Sequence, residues 1–371
     1  MVRISVILRT RRLPNKTCDI RNSISRFKIW KEHPELLDNS LINNEFNKLY
    51  YSCLEPSNDL FEMTMKSFEK QTYKNFEFIL VHPDADKLDV NKYSKYKDAI
   101  NLKIVKNKYS PYLEVDNNHF VFCGTTNTGI IWSDGDIIHV INDNTLYPKN
   151  YLKEVEFLYN RNMLAVPPRI EYSYSVKNKY DKLKREFGIK EEFETPILRT
   201  TNYPAGKPKA SYKDWSAWWG YGFTFDREEL LDINGYNEEL DGAVGDDDYD
   251  YWSRMRQITK YKPTQMRNVL YSIRSRRNEA FINQPKPKFE TKSNRQYLKM
   301  IEQYPVANEI VANVKRPSKD LMNKYKDWHY KHKSKNLDKY YYLCSEIPTF
   351  DLRKLITERN TNKIDCGELI L

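Results

Sequence analysis

Between Ile233 and Arg254 the chain reads INGYNEELDGAVGDDDYDYWSR. Asp246, Asp247 and Asp248 are consecutive and Asp250 follows two positions on, so like charges crowd one short stretch. A fold accepts such a run only where donors or cations meet it, or where water does. The Asn234-Gly235 pair signals a turn before the run, and the residues after it read as the start of a helix. One reading is an acidic N-cap, because carboxylates at a helix N-terminus favour the helix dipole. One or two acids would suffice for that. The other reading is a site, in which one carboxylate works as a base and its neighbours bind hydroxyls.

The chain has 371 residues, 40% hydrophobic and 30% charged, which is material for one large domain or two modest ones. The net charge of +10 favours anionic partners such as nucleotide phosphates, nucleic acid or a membrane surface, or it is a solvated lysine surface. Cys18, Cys53, Cys123, Cys344 and Cys366 are odd in number and show no CxxC spacing. That argues against a disulfide framework or a cysteine zinc site and suits a reducing compartment. The opening MVRISVILRTRR has too short an apolar run for a signal peptide and reads as a strand. No run approaches the ~20 apolar residues needed to span a bilayer. The expected location is the cytoplasm, with peripheral membrane attachment left open.

Along the chain, Arg3 to Arg9 is a β-rich run, and Asn58 to Gln71 carries apolar residues at helical spacing. Strands are expected at Phe76 to Val81, Lys103 to Lys108, Ile137 to Ile141 and Val269 to Ile273. Helices are expected at Phe122 to Ser133, Lys149 to Arg161 and from the acidic run to about Lys260, with an edge strand at Met163 to Pro168. Residues 14–57 read as an insertion, and Glu171 to Ala210 shows no clear period. The aromatic run SYKDWSAWWGYGFTF leads into a short strand, and QPKPK at 284–288 reads as a linker before basic helical segments. Thr10 and Arg11 fall at the carboxyl end of the first strand, where open α/β sheets bind ligands.

Gly235-Tyr236-Asn237-Glu238, followed after a glycine-containing loop by Asp247-Asp248-Tyr249-Asp250-Tyr251-Trp252-Ser253-Arg254, resembles the acceptor-side motif of family 2 glycosyltransferases. Asp247 stands where that family usually has Glu. Ser67 to Glu77, Asn127-Thr128-Gly129-Ile130, Gly135-Asp136-Ile137-Ile138 and Pro148 are similar to further family segments, so the resemblance runs from about Arg3 to Arg277. It implies a GT-A fold, Rossmann-like, with a mostly parallel doubly wound sheet over residues 1–285 and a basic helical extension over 286–371. It also implies an inverting transfer of a sugar from a nucleotide-diphospho-sugar, a UDP-sugar foremost, to an acceptor hydroxyl, by default on a glycan. Asp248 falls at the catalytic base. Asp247 and Asp250 would orient acceptor hydroxyls or tune the base, and Arg254 would hold the acidic loop. Trp218 and Trp219 fall where the family floors its acceptor pocket, with core packing as the alternative.

On the donor side, the resemblance places Thr10, Arg11 and Asn127 near the nucleotide. The family's base-reading acidic pair is His82-Pro83 here, which leaves Asp84 as the candidate contact. The family's D-x-D is Asn142-Asp143-Asn144. A departing diphosphate gathers negative charge, which Mn2+ or Mg2+ held by a carboxylate can neutralise. Asp143 is the triplet's carboxylate, and Asn142 and Asn144 can offer carbonyl oxygens; a plain turn is the alternative. Where the family often has a metal-binding histidine, the chain has Arg274, Arg276 and Arg277. Arginine forks suit phosphate oxygens. Two further functions stay open. One is sugar transfer to a modified base of viral DNA, suggested by the basic charge and requiring base flipping. The other is a non-catalytic sugar-binding module with a degenerate metal site.

Overall fold

A computed structural model describes residues 2–10, 60–110, 121–143, 145–167, 169–174, 196–199, 222–238, 241, 247–268, 270–273 and 350–371. The expected insertion at 14–57 and the helical segments before residue 350 lie outside them, as does the linker.

The centre of the fold is β1, Ile4–Arg9, with every residue buried. It lies parallel between β2, Phe76–His82, and β4, Ile137–Asn142, with Ile7 opposite both Ile79 and Val140. β3, Leu102–Lys106, continues the parallel array beside β2. These strands are near-continuous apolar runs, as a parallel sheet covered on both faces requires. The antiparallel β9, Phe223–Asp226, lies beside β4, and the antiparallel β12, Glu368–Leu369, lies beside β3. The order is β12-β3-β2-β1-β4-β9.

Alternation along the strands divides the core in two. Ile7, Ile79, Val81 and Val105 face one layer, which includes Cys123, Ile130 and Ile131 of the helix at Phe122–Ile131. Val6, Leu8, Phe78, Leu80 and Ile104 face the other, with Phe68 of α1, Leu60–Glu69. Two short helices, α2 at Val90–Ser94 and α3 at Tyr96–Ala99, lead into β3, so the helix at Phe122–Ile131 is α4. Tyr151, Leu152 and Val155 of α5, Tyr151–Tyr159, complete the second layer. The doubly wound, mostly parallel α/β sheet expected from the sequence is therefore present. Its helix packing is close: a Cβ on Gly129 of α4 would sit 2.4 Å from Ile7 Cγ2.

Smaller sheets complete the frame. β5, Thr145–Leu146, joins β11, Leu270–Ile273, then β7, Arg169–Tyr174, and β8, Pro196–Arg199. β6, Met163–Val166, pairs in parallel with β10, Lys262–Gln265. The segment at Met163 is thus a strand, but of a separate two-stranded pair rather than the edge of the main sheet. β10 reads KPTQ, with a proline and no apolar alternation, which a strand paired on one side tolerates.

The C-terminal segment changes the expected domain division. Leu352 and Leu355 of an α-helix at Leu352–Glu358, together with Cys366, lie in the core layer that contains α4. Trp132 Nε1 donates to the Cys366 carbonyl at 2.8 Å, and Ile370 N donates to the Ile104 carbonyl at 2.8 Å. Residues 350–371 are therefore part of the sheet domain and not of an appended extension beginning at 286. The physical reason is the open edge of β3, whose backbone groups β12 pairs. Among the described residues no helix is long and apolar enough to cross a membrane. Leu352→Ala should cost about 2–5 kcal/mol, as large-to-small core changes do. Urea unfolding reads this, and an unchanged midpoint would show that the C-terminal segment is not part of the core.

Candidate active site

The carboxyl ends of β1, β2 and β4 lie level, with Arg9 opposite Val81 on one side and Asn142 on the other. Just beyond, the Thr10 hydroxyl donates to Asp143 Oδ2 at 2.6 Å. Asn142 closes β4 and is partly exposed. His82 closes β2 and is fully buried, and its Nδ1 accepts the Asp84 N–H at 2.9 Å. The Asp84 carboxylate stands at the rim and pairs with Lys87 at 2.5 Å, which raises the Lys87 pKa.

Beside these strand ends, α4 forms the platform on which the acidic motif is built. The motif opens with Asn234 and Gly235, both at positive φ, 57° and 69°. A Cβ at Gly235 would lie 2.4 Å from Asn127 Oδ1 and 2.6 Å from Leu352 Cδ1, so glycine is required there. Asn127 is fully buried on α4. Its Nδ2 donates to the Tyr236 carbonyl and to Glu238 Oε1, each at 2.8 Å, and its Oδ1 accepts the Tyr236 N–H at 2.8 Å. Glu238 also pairs with the buried Lys108 at 2.8 Å, and the Lys108 ammonium lies 4.5 Å from the centre of the Phe350 ring. Asn234 holds the same segment by donating to the Phe350 carbonyl and accepting the Leu352 N–H.

Asp241 docks on the first turn of α4, accepting the Cys123 N–H and the Gly124 N–H at 2.8 Å each. Burial pushes its carboxyl well above the usual range, and the Glu238 charge adds to this, while the two N–H bonds pull the other way. The same surroundings, burial first and then Asp241, push the Cys123 thiol well up.

Asp247–Ile258 is the next helix. With Arg227–Asp232 as α6 it becomes α7, and the C-terminal helices at Leu352–Glu358 and Lys363–Cys366 become α8 and α9. Tyr251, Trp252 and Met255 anchor α7 in the core, with Tyr251 4.8 Å from the Phe225 ring and 4.8 Å from the Tyr236 ring. Asp247 lies at the start of the helix, its Oδ2 3.6 Å from Arg9 NH1. Asp250 is buried and accepts from Arg254 Nε at 3.1 Å and NH2 at 2.8 Å, and Arg254 NH1 donates to the Ile233 carbonyl at 3.0 Å. Burial raises the Asp250 pKa, with the Arg254 charge opposing that shift.

The structure thus brings Thr10, Asp143 and Asp247 to one end of the sheet. Asp248 is the second residue of α7; its side chain lies outside the described residues. Arg11, Asn144, Trp218, Trp219, Arg274 and Arg276 also lie outside them. Asn127 and Asp250 stand in other surroundings than the sequence suggested. Both are buried and committed to groups within the protein, Asn127 to the motif's turn and Asp250 to Arg254, which ties the motif's end to its beginning. Arg9, Lys108 and Asp241 were missed. A basic residue ending an apolar strand resembles a solvated boundary, and nothing in the local sequence of Asp241 points to a helix end more than 100 positions earlier.

Asp143 offers the oxygen donor that Mn2+ or Mg2+ prefers. Among the described residues no group of three or more His, Cys, Asp or Glu could hold a metal ion by itself.

No known protein family matches the chain, and no curated protein matches it in sequence. Among solved structures, its backbone is similar to "GalNAc-T7 with UDP, GalNAc and Mn2+", with a TM-score of 0.44 and 12% identity over 97% of this chain and 54% of that one. It is also similar to S. aureus TarS 1-349 in complex with UDP-GlcNAc, with a TM-score of 0.44 and 11% identity over 90% of this chain and 74% of that one. The chain spans about half the length of the first. Similarity at this level bears on neither substrate nor mechanism.

Asn127→Leu fills the same space but removes three hydrogen bonds to the motif. It should cost about 2–4 kcal/mol, since each orphaned buried group costs ~1–3 kcal/mol before relaxation. Chemical denaturation measures this, and wild-type stability would mean that the amide does not clamp the turn.

Proposed function

We propose that the chain is a glycosyltransferase of GT-A type that uses a nucleotide-diphospho-sugar, with a UDP-sugar as donor and a glycan hydroxyl as acceptor. One observation carries the reading: the hydroxyl–carboxylate pair of Thr10 and Asp143, and the start of the acidic helix at Asp247, meet at the end of one central strand. The first suits a phosphate-bearing donor and the second an acceptor hydroxyl. Open α/β sheets bind ligands at this edge.

In this reading Asp248 removes the proton of the acceptor hydroxyl. The hydroxyl oxygen forms a bond to the anomeric carbon as the bond from that carbon to the diphosphate oxygen breaks, which inverts the configuration. The electron pair leaves with the nucleoside diphosphate. Asp143 would hold a divalent cation, whose contribution when bound is to neutralise the diphosphate charge. Thr10 fixes the orientation of the Asp143 carboxylate. Arg254 holds the far end of the acidic turn, so that the first turn of α7 keeps its place. Arg274 and Arg276, on the chain that continues from β11, would add positive charge toward the phosphates, and Trp218 and Trp219 would give the acceptor sugar a stacking surface.

Asp248→Asn keeps the shape of the side chain and removes the base. Transfer from the donor that the wild type uses should fall by about 10²–10⁴-fold, the usual contribution of general-base catalysis. Donor affinity by calorimetry should stay within about twofold, because a group that acts on the acceptor proton adds little to ground-state donor binding. More than about a tenth of the wild-type rate would remove Asp248 from the role.

A second experiment addresses the cation. Mn2+ should tighten donor binding in the wild type and have no effect in Asp143→Ala. If Mn2+ changes neither, Asp143 is not a metal ligand. Donor hydrolysis by the purified protein separates an enzyme from a sugar-binding module.

A further inference from the structure

We propose that Arg9 is a positioning residue of the transfer reaction, holding the first turn of α7 against the donor end of β1. The inference rests on the glycosyltransferase reading for its role and on geometry for its residue. Arg9 ends a strand in which all the other residues are apolar or hydroxylic, and its side chain is buried. NH1 donates to Thr126 Oγ1 at 3.2 Å, and the guanidinium carbon lies 4.8 Å from the centre of the Phe122 ring, so two groups of α4 fix the fork. From there NH1 reaches Asp247 Oδ2 at 3.6 Å. The adjacent Thr10 binds Asp143 at 2.6 Å. Successive side chains of a strand point to opposite faces. One dipeptide therefore contacts both halves of the site, the donor-side carboxylate through Thr10 and the acceptor-side helix through Arg9.

The charge at this place has its own reason. Asp247 is followed by Asp248, and its charge also acts on the buried Asp241 and Asp250, adding to the rise of both carboxyls that burial causes. The helix dipole favours acids at this end, but adjacent acids still repel one another, and a nearby cation offsets that repulsion. Arg254 is committed to Asp250 and the Ile233 carbonyl. Lys108 is committed to Glu238. Arg9 pairs with Asp247, and it stands on the strand that also fixes the donor side. A shift of the first turn by about 1 Å would separate base from acceptor, and displacements of that size cost on the order of 10²-fold in rate.

The test compares Arg9→Gln, Arg9→Lys and Thr126→Val in the full chain. Arg9→Gln should lower kcat about 10- to 100-fold, the cost of a small misplacement, while donor KM and calorimetric donor affinity stay within about twofold of wild type. Arg9→Lys keeps the charge without the fork and should recover at least about a third of the rate, since a Lys still acts as a point charge. Thr126→Val loosens the fork alone and should lower kcat a few-fold, again without a change in donor affinity.

Hydrogen exchange supplies a readout that does not need activity. Amides of the first turn of α7 should exchange faster in Arg9→Gln, with β2 and β3 unchanged. Wild-type turnover by Arg9→Gln, or loss of kcat and donor affinity in parallel in Arg9→Lys and Thr126→Val, overturns the proposal. So does unchanged exchange in the first turn. If Arg9→Gln does not fold, the kcat and exchange measurements on Arg9→Lys and Thr126→Val decide it. A wild type that transfers no sugar from any nucleotide sugar removes the function reading instead, and the exchange measurement still decides whether Arg9 holds α7.

Discussion

A carboxylate taken out of water must be matched by a donor or a cation, and the architecture of this site follows from that requirement. Asp241, Glu238 and Asp250 are all buried. Asp241 is met by two backbone N–H groups at the first turn of α4, Glu238 by Lys108 and Asn127, and Asp250 by Arg254. Removing one partner of a buried pair costs about 3–5 kcal/mol, because the other is left charged and dry. The acidic motif is therefore fixed from several sides. α4 carries much of this load, with Thr125, Thr126, Asn127 and Thr128 all buried in a helix whose remaining buried side chains pack on the sheet.

The same requirement operates at the opposite end of the strands. Glu77 is fully buried in β2 and accepts from the Ser5 hydroxyl, the Asp134 N–H and Arg3, with Lys103 at 2.8 Å. These partners come from β1, β3 and the turn before β4. One carboxylate thus ties together β1, β2, β3 and the turn that leads into β4, and a slip of register by one residue would separate it from these donors.

How much of this was legible depended on how local each signal was. The parallel strands could be read because each is a short, mostly apolar run, and the turn at Asn234-Gly235 because its chemistry suits positive φ. β7, β8 and β10 could not, since they lack such apolar runs. The C-terminal strand is two residues long and owes its place to the edge of β3. At the site, the acidic residues were visible and their partners were not. Arg9, Lys108 and Asp241 act across more than 100 positions of chain, and Asn127 and Asp250 each looked like a ligand group while serving as internal ties. Burial decides between those uses, and a local sequence window does not contain it.

The pairing of β12 with β3 joins Glu368 to Lys106, residues 262 positions apart (368 − 106). Closing so long a stretch of chain costs entropy that only the completed contact offsets. Until then β3 is the outermost strand of a hydrophobic parallel sheet with its backbone donors and acceptors unpaired. Such an edge is a template for another chain. The segment that covers β3 thus also guards the sheet against association, and a molecule in which it is undocked presents an edge open to another chain.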